Sequence, residues 1–344
     1  MQFLYFLEGL RSPALDAVFR VITELGGETV YMALAIAVYW CVSKGLGCYI
    51  LTTGFVGTIA NQFLKLCFRI PRPWVLDPDF TIVESARAGA TGYSFPSGHT
   101  QNAFSSFGCL GMWTRGGWRV LCFVIVVLIG LSRMYLGVHT PLDVGVAFLM
   151  GLVLMLALYP VFRDIEAHPK RMYGIIAGMI VLTVAYLCYV ELWRFSADID
   201  AANLASGKEN GYKLLGAASA LLLSYWLDQR YIRFETKAPL AGQALKLVLG
   251  LAIVVGIRVA LKAPLYALLG EGGVADAARY FLVVLFAAAV WPMTFRAFSK
   301  IGARSEVSPS WRRRCRTAPR LPCSGPCPRR RLSRRRSGPR RSRG

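Results

Sequence analysis

Charge is what this sequence most lacks. Only 17% of its residues are Asp, Glu, Lys or Arg, while 55% are hydrophobic; a soluble domain carries about 25% charge. That shortage argues against a soluble enzyme and equally against a disordered chain. Histidine is scarcer still, with three in 344 residues. Any imidazole chemistry therefore falls to His99, His139 or His168. Cysteines are present but form no close pairs of the kind that frame disulfides or metal sites. Cys41, Cys48, Cys67, Cys109, Cys122 and Cys188 lie in or beside apolar runs, and Cys315, Cys323 and Cys327 follow near the C-terminus without a second matching pair. No Lys or Arg precedes the first apolar stretch and Glu8 interrupts it, which sets that stretch apart from a conventional secretory signal.

What fills the space is apolar sequence. A membrane-spanning helix needs about 20 mainly apolar residues, and nine candidate spans fit: 27–43, 47–65, 99–114, 118–136, 141–162, 172–193, 211–227, 243–262 and 279–298. The expected fold is all-α, a polytopic membrane helix bundle. The third span mixes small, polar and apolar residues, a composition suited to packing among other helices. Residues 1–25 form a separate N-terminal segment. Within it, Leu4, Leu7, Leu10, Val18 and Ile22 oppose Arg11, Asp16 and Arg20, which predicts an amphipathic helix in the membrane interface, split at Ser12-Pro13. The loop 66–98 is long and contains Pro and Gly, and long ordered loops tend to carry function. A polar connection at 194–210 separates the six spans of residues 26–195 from the last three, in 196–303.

The net charge of +21 is unevenly placed. Residues 304–344 hold fifteen Arg, no Lys and one acid, Glu306, and so carry +14 of it. With no apolar period and nothing to bury, this tail is expected to be disordered. Only Trp311 offers stacking, so no nucleic-acid partner is expected. Arginine without lysine also resembles translation out of frame, which resequencing the gene would test. In the body of the chain, Lys44, Arg115, Arg119, Arg163, Lys170, Arg171, Arg230, Arg233, Lys237 and Lys246 gather in short loops on one side, which is expected to be cytoplasmic.

Three segments carry the chemistry, and alternate crossing brings all three to the opposite face. They are Lys65-LCFRIP-Arg72-Pro73, then Pro96-Ser97-Gly98-His99, then Ser132-Arg133-MYLGV-His139-TPL-Asp143. Lys65, Arg72 and Arg133 supply three cations, and Arg presents a planar fork suited to phosphate oxygens. Ser97 and Gly98 precede a helix whose first N–H groups face an anion. His139 and Asp143, four apart, share one helix face. The carboxylate can fix the imidazole tautomer and leave the other nitrogen to attack. His99 stands ready as general acid. Asp77 and Asp79, beside Pro78, read as a turn, and His168 falls on the other side with no chemistry assigned.

These segments, KxxxxxxRP, PSGH and SRxxxxxHxxxD, resemble the phosphatidic acid phosphatase type 2 (PAP2) superfamily pattern, with every fixed position filled. The resemblance is strong over roughly 60–145 and loose over the six spans of 1–195; it is silent on spans seven to nine. It implies a phosphatase working through phosphohistidine without cofactor or metal. In that reading His139 is the nucleophile, Asp143 its partner and His99 the acid/base, while Lys65, Arg72, Ser97, Gly98 and Arg133 hold phosphate. The expected substrate is a lipid phosphate monoester or diphosphate, and the expected surroundings are the bilayer of the cell membrane, with the site facing outward. A transporter or binding protein for anionic lipid is the alternative, kept open by Arg258 and Lys262 in span eight.

Overall fold

The computed structural model of the protein describes residues 1–87, 89–90, 92–196 and 199–301. The expectations about residues 304–344 lie outside the described residues. Every regular element among those described is helical. The chain opens with α1 (Gln2–Gly9) and α2 (Pro13–Glu24). They are divided at Ser12-Pro13, where the Ser12 hydroxyl accepts the Leu15 N–H and proline takes the first helical position. After Gly26-Gly27 come α3 (Glu28–Cys41) and α4 (Lys44–Phe68). A short α5 (Pro73–Leu76) lies in the long loop. The third span is a broken rod: α6 (Gly98–Ala103), a π-helical stretch Phe104–Gly108, and α7 (Cys109–Trp113). Then follow α8 (Gly117–Tyr135), α9 (Pro141–Phe162), α10 (Lys170–Leu192) and α11 (Ala201–Leu227). The last elements are α12 (Leu240–Ala260), α13 (Lys262–Leu269), α14 (Gly273–Leu285) and α15 (Phe295–Phe298).

The arrangement is an all-α bundle around α4, which touches α3, α6, α9, α10 and α11. Small residues allow this approach. A Cβ on Gly57 would collide with the Gln101 amide of α6, and one on Gly54 with the Tyr31 ring of α3. Tyr31, Tyr49, Phe104, Ile129 and Met155 fill the core these helices enclose. A second core, with Trp40, Phe234, Val254, Trp291 and Phe295, joins the end of α3 to α12, α14 and α15.

Helix occurs at all nine expected spans, but they are not equal. Five helical stretches among the described residues are long and apolar enough to cross a membrane: Gly117–Tyr135, Pro141–Ala167, Lys170–Leu192, Leu240–Leu269 and Gly273–Phe298. A sixth arises if α2 and α3, bent by 46°, count as one crossing. The others fall short for physical reasons. Fourteen residues of α3 rise only about 21 Å. α4 is long enough but carries Asn61, Gln62 and Lys65, of which Asn61 is buried against its neighbours and Gln62 and Lys65 are half-buried. The polar stretch 201–210, read from sequence as connection, is instead the first turns of α11. The Asp200 carboxylate starts them by accepting the Ala202 and Asn203 N–H groups. Lys246, counted above among loop cations, is buried: its ammonium donates to the carbonyls of Trp40 (2.9 Å) and Thr236 (3.0 Å).

Candidate active site

The turn from α8 into α9 places the imidazole of His139. Gly137 takes φ +78° there, and a Cβ would lie 2.8 Å from Arg11 Nη2 and 3.0 Å from the Phe80 ring. Glycine is required on both counts. The next helix begins with a capping box: Thr140 Oγ1 accepts the Asp143 N–H at 3.2 Å and Asp143 Oδ2 accepts the Thr140 N–H at 2.7 Å. Pro141 occupies the first helical position. One carboxylate therefore both starts α9 and faces the ring four residues back.

His139 and Asp143 are buried. Nδ1 of the ring lies 3.6 Å from Asp143 Oδ2 and 3.4 Å from Ser94 Oγ, and Ser94 also donates to Asp143 Oδ2. On the other side, Arg72 Nη1 is 3.0 Å from Nε2. A guanidinium can only donate, so Nε2 accepts and the ring proton belongs on Nδ1, toward the carboxylate. Burial pushes the His139 pKa well below the ordinary imidazole value, and Arg72, Arg133, Lys65 and His99 push it the same way. The ring is held neutral, with its lone pair on Nε2.

Arg72 is the hub of the loop. Its Nε donates to the Gly92 carbonyl (2.9 Å) and Nη1 to the Val138 carbonyl (2.8 Å), so it ties the long loop ahead of the second motif to the third motif. Burial lowers its pKa to about 10, against the opposing pull of Asp143; it keeps its charge at neutral pH. The second motif is tied to the third by Ser97 N–H donating to the Asp143 carbonyl at 3.1 Å. Ser97 caps α6 through the Thr100 N–H and also accepts the Thr100 hydroxyl at 3.0 Å. Apart from its chain neighbours and its own helix, no atom of the described residues lies within 4 Å of where a Gly98 Cβ would stand, so the start of α6 opens onto free space.

Arg133 is buried at the end of α8, and with Lys65 it acts electrostatically on both His99 and His139. His99 and Arg133 line one cavity of about 420 Å³ with Arg20, Thr23, Glu24 and Ser85. The structure thus gathers the eight residues singled out in the motifs at one end of the bundle. Arg258 and Lys262 are exposed and sit over the rings of Tyr280 (6.0 Å) and Tyr266 (5.7 Å) in the last helices. His168 is exposed, beside Asp164. Asp77 accepts the Asp79 N–H in a turn and the Tyr5 hydroxyl.

Four contributors escaped sequence reasoning. Ser94 bonds the Asp143 carboxylate, and its only sequence signal was standing two residues before the PSGH run. Asn61, one turn before Lys65, donates to the Pro96 carbonyl at 3.1 Å. Arg11 donates to the Tyr135 and Thr81 carbonyls around the Gly137 turn. Thr23, in the helix expected only to lie in the interface, accepts from Arg133 Nη1 at 2.8 Å.

Comparison with known proteins extends the match beyond the motifs. Residues 45–166 match the family model described as PAP2 superfamily, and residues 212–304 match that of the PAP2 superfamily phosphatase, transmembrane extension. The last spans, on which the motif resemblance was silent, thus have a family description of their own. Phosphatidylglycerophosphatase B of Bacillus subtilis is 29% identical over 160 residues, 42% of this chain and 74% of that protein. The undecaprenyl-diphosphatase BcrC of the same organism is 30% identical over 145 residues, 41% of this chain and 71% of that one. Mouse sphingosine-1-phosphate phosphatase 1 is 25% identical over 253 residues, 69% of this chain and 57% of the mouse protein. No solved structure matches the chain significantly. With the motif residues converging at one end of an apolar bundle, and family matches on both sides of the polar start of α11, the chain belongs to the PAP2 superfamily and is an integral-membrane phosphatase.

Proposed function

We propose that the protein hydrolyses a lipid phosphate monoester or diphosphate through a covalent phosphohistidine at His139, without a metal. One observation carries this reading: the His139 ring has its Nδ1 side against Asp143 and Ser94, while Nε2 keeps its lone pair beside Arg72 at 3.0 Å. A site that merely bound an anion would gain nothing from a buried neutral imidazole set between a carboxylate and a cation.

In the first step, Nε2 forms a bond to phosphorus in line with the departing oxygen, and the P–O bond breaks. Lys65, Arg72 and Arg133, with the Ser97 hydroxyl and the Gly98 end of α6, hold the equatorial oxygens. His99 gives its proton to the leaving oxygen. In the second step, His99 takes a proton from water, the oxygen attacks phosphorus, and the P–N bond returns its electron pair to Nε2. Asp143 stabilises the positive charge that the ring carries in between. Arg72 must leave Nε2 as substrate enters, and the arriving phosphoryl oxygen is its natural new partner.

A lipid headgroup reaches a site at the membrane face while its tails stay in the bilayer, which supports a lipid phosphate. Relatives named for phosphatidylglycerol phosphate, undecaprenyl diphosphate and sphingosine 1-phosphate support the same class. The side opposite the basic short loops is the outer face, and the cell membrane is the proposed location. The test is phosphate release by purified protein across a lipid panel in EDTA. Turnover should persist in EDTA, vanadate should inhibit, and His139→Ala and His99→Ala should each abolish release. Near-normal turnover by the His139 variant sinks the mechanism. Transport of lipid without release of phosphate would favour the binding-protein alternative.

A further inference from the structure

Thr23 belongs to none of the three motifs, yet it holds one of their cations. A guanidinium can grip two phosphoryl oxygens through either of two edges, Nη1–Nη2 or Nε–Nη2. In Arg133 the Thr23 hydroxyl engages Nη1 at 2.8 Å, which leaves the Nε–Nη2 edge. Nε of Arg133 is buried and has no hydrogen-bond partner among the described residues. A buried donor left unpaired is costly, and a phosphoryl oxygen is the kind of acceptor that would satisfy it.

The backbone beneath Thr23 is fixed by the elements that carry the chemistry. A Cβ on Gly26 would stand 2.6 Å from Ile129 of α8 and 2.9 Å from the His99 carbonyl of α6. Asn102 Nδ2 donates to the Gly26 carbonyl at 3.3 Å. Phe19 stacks on Tyr135 with centroids 4.1 Å apart, and the Tyr135 hydroxyl donates to Asp16 at 2.8 Å. The end of α2 is therefore clamped between the helices bearing His99 and Arg133, beside the cavity that both line.

We propose that Thr23 is a positioning residue: its hydroxyl turns Arg133 so that the Nε–Nη2 edge faces the transferring phosphoryl group. The proposal rests on the phosphate-binding part of the reading above, and it can be measured without turnover. Thr23→Val keeps the shape and removes the hydroxyl; Thr23→Ser keeps the hydroxyl. In the purified full chain, binding of inorganic phosphate is followed by calorimetry, alongside kcat and KM on a lipid phosphate and the melting temperature.

Thr23→Val should weaken phosphate binding and lower kcat/KM by about tenfold, the scale of one charge-assisted hydrogen bond. The melting temperature should also fall, because the buried Arg133 Nη1 loses its acceptor, and Thr23→Ser should recover most of all three losses. In an Arg133→Gln background Thr23→Val should add little, because the two act as one unit. Should the valine variant not fold, Thr23→Ala reads the same loss. Unchanged phosphate affinity in the hydroxyl-free variants overturns the proposal, as does an equal loss without Arg133. If the wild type binds phosphate through Thr23 but releases none from any lipid, the catalytic reading fails and this inference stands.

Discussion

In the proposed mechanism His139 attacks phosphorus only as the free base, so its surroundings decide the pH at which the site works. Arg72, Arg133, Lys65 and His99 all oppose its protonation, and the Asp143 carboxylate that favours it is shared with Ser94 and Thr140. The imidazole pKa is depressed from 6.5, so the neutral form persists as pH falls through the usual histidine range. The acid limb of kcat/KM should accordingly lie well below 6.5. Arg72→Gln removes the nearest opposing cation, raises the His139 pKa and should move the acid limb of the residual activity upward. A pH–rate profile on both proteins checks this, and an unmoved limb in the Arg72 variant would refute it. The pairing of His139 with Asp143 was legible from their spacing, but not its cause: His139 lies in the turn before α9 and meets the carboxylate that caps the helix, not a residue on a shared helix face. Ser94 and Thr23 were not legible, because isolated hydroxyls in apolar sequence have many uses.

Among the elements, the α8–α9 turn and the start of α6 are both built on glycine, for opposite reasons. At Gly137 the positive φ and the contacts with Arg11, Phe80 and Thr81 leave no room for a side chain. Gly137→Ala should destabilise the protein by about 1–2 kcal/mol for the left-handed backbone alone, with more from the collisions, and should displace His139. At Gly98 a methyl group would meet open space, so Gly98→Ala should melt like the wild type while phosphate binding weakens. Thermal unfolding in detergent with a phosphate titration separates the two; equal melting of both variants would contradict this account. Sequence patterning found helix at each of the nine spans because long apolar runs dominate the signal. It misplaced the start of α11 because a polar helix end and a loop have the same composition, and only the Asp200 cap distinguishes them.

Across the whole molecule, one junction of the last helices with the rest lies far from the chemistry. Lys246 of α12 closes the carbonyl end of α3 by donating to Trp40, while Gln243 donates to the Cys41 carbonyl. Lys44, at the start of α4, pairs with Asp228 at 2.6 Å. The motif cations lie at the other end of α4, whose 25 residues extend about 37 Å. Lys246→Met keeps the apolar stem but strands the buried Trp40 carbonyl, at a cost of about 1–3 kcal/mol, while the Thr236 carbonyl keeps its bond from Gln243. The expected result is a lower melting temperature with nearly wild-type kcat at low temperature. A lost kcat in a protein of unchanged stability would show that the junction reaches the active end.

The polarity of α4 bears on how the protein is made. A segment holding Asn61, Gln62 and Lys65 gains too little from lipid to stay there alone as it leaves the ribosome. Besides α3, made just before it, its neighbours include α6, α9, α10 and α11, all synthesised later. Until those partners are made, the polar end of α4 lacks the contacts that bury it, and the end bearing Lys65 is completed only when they close around it.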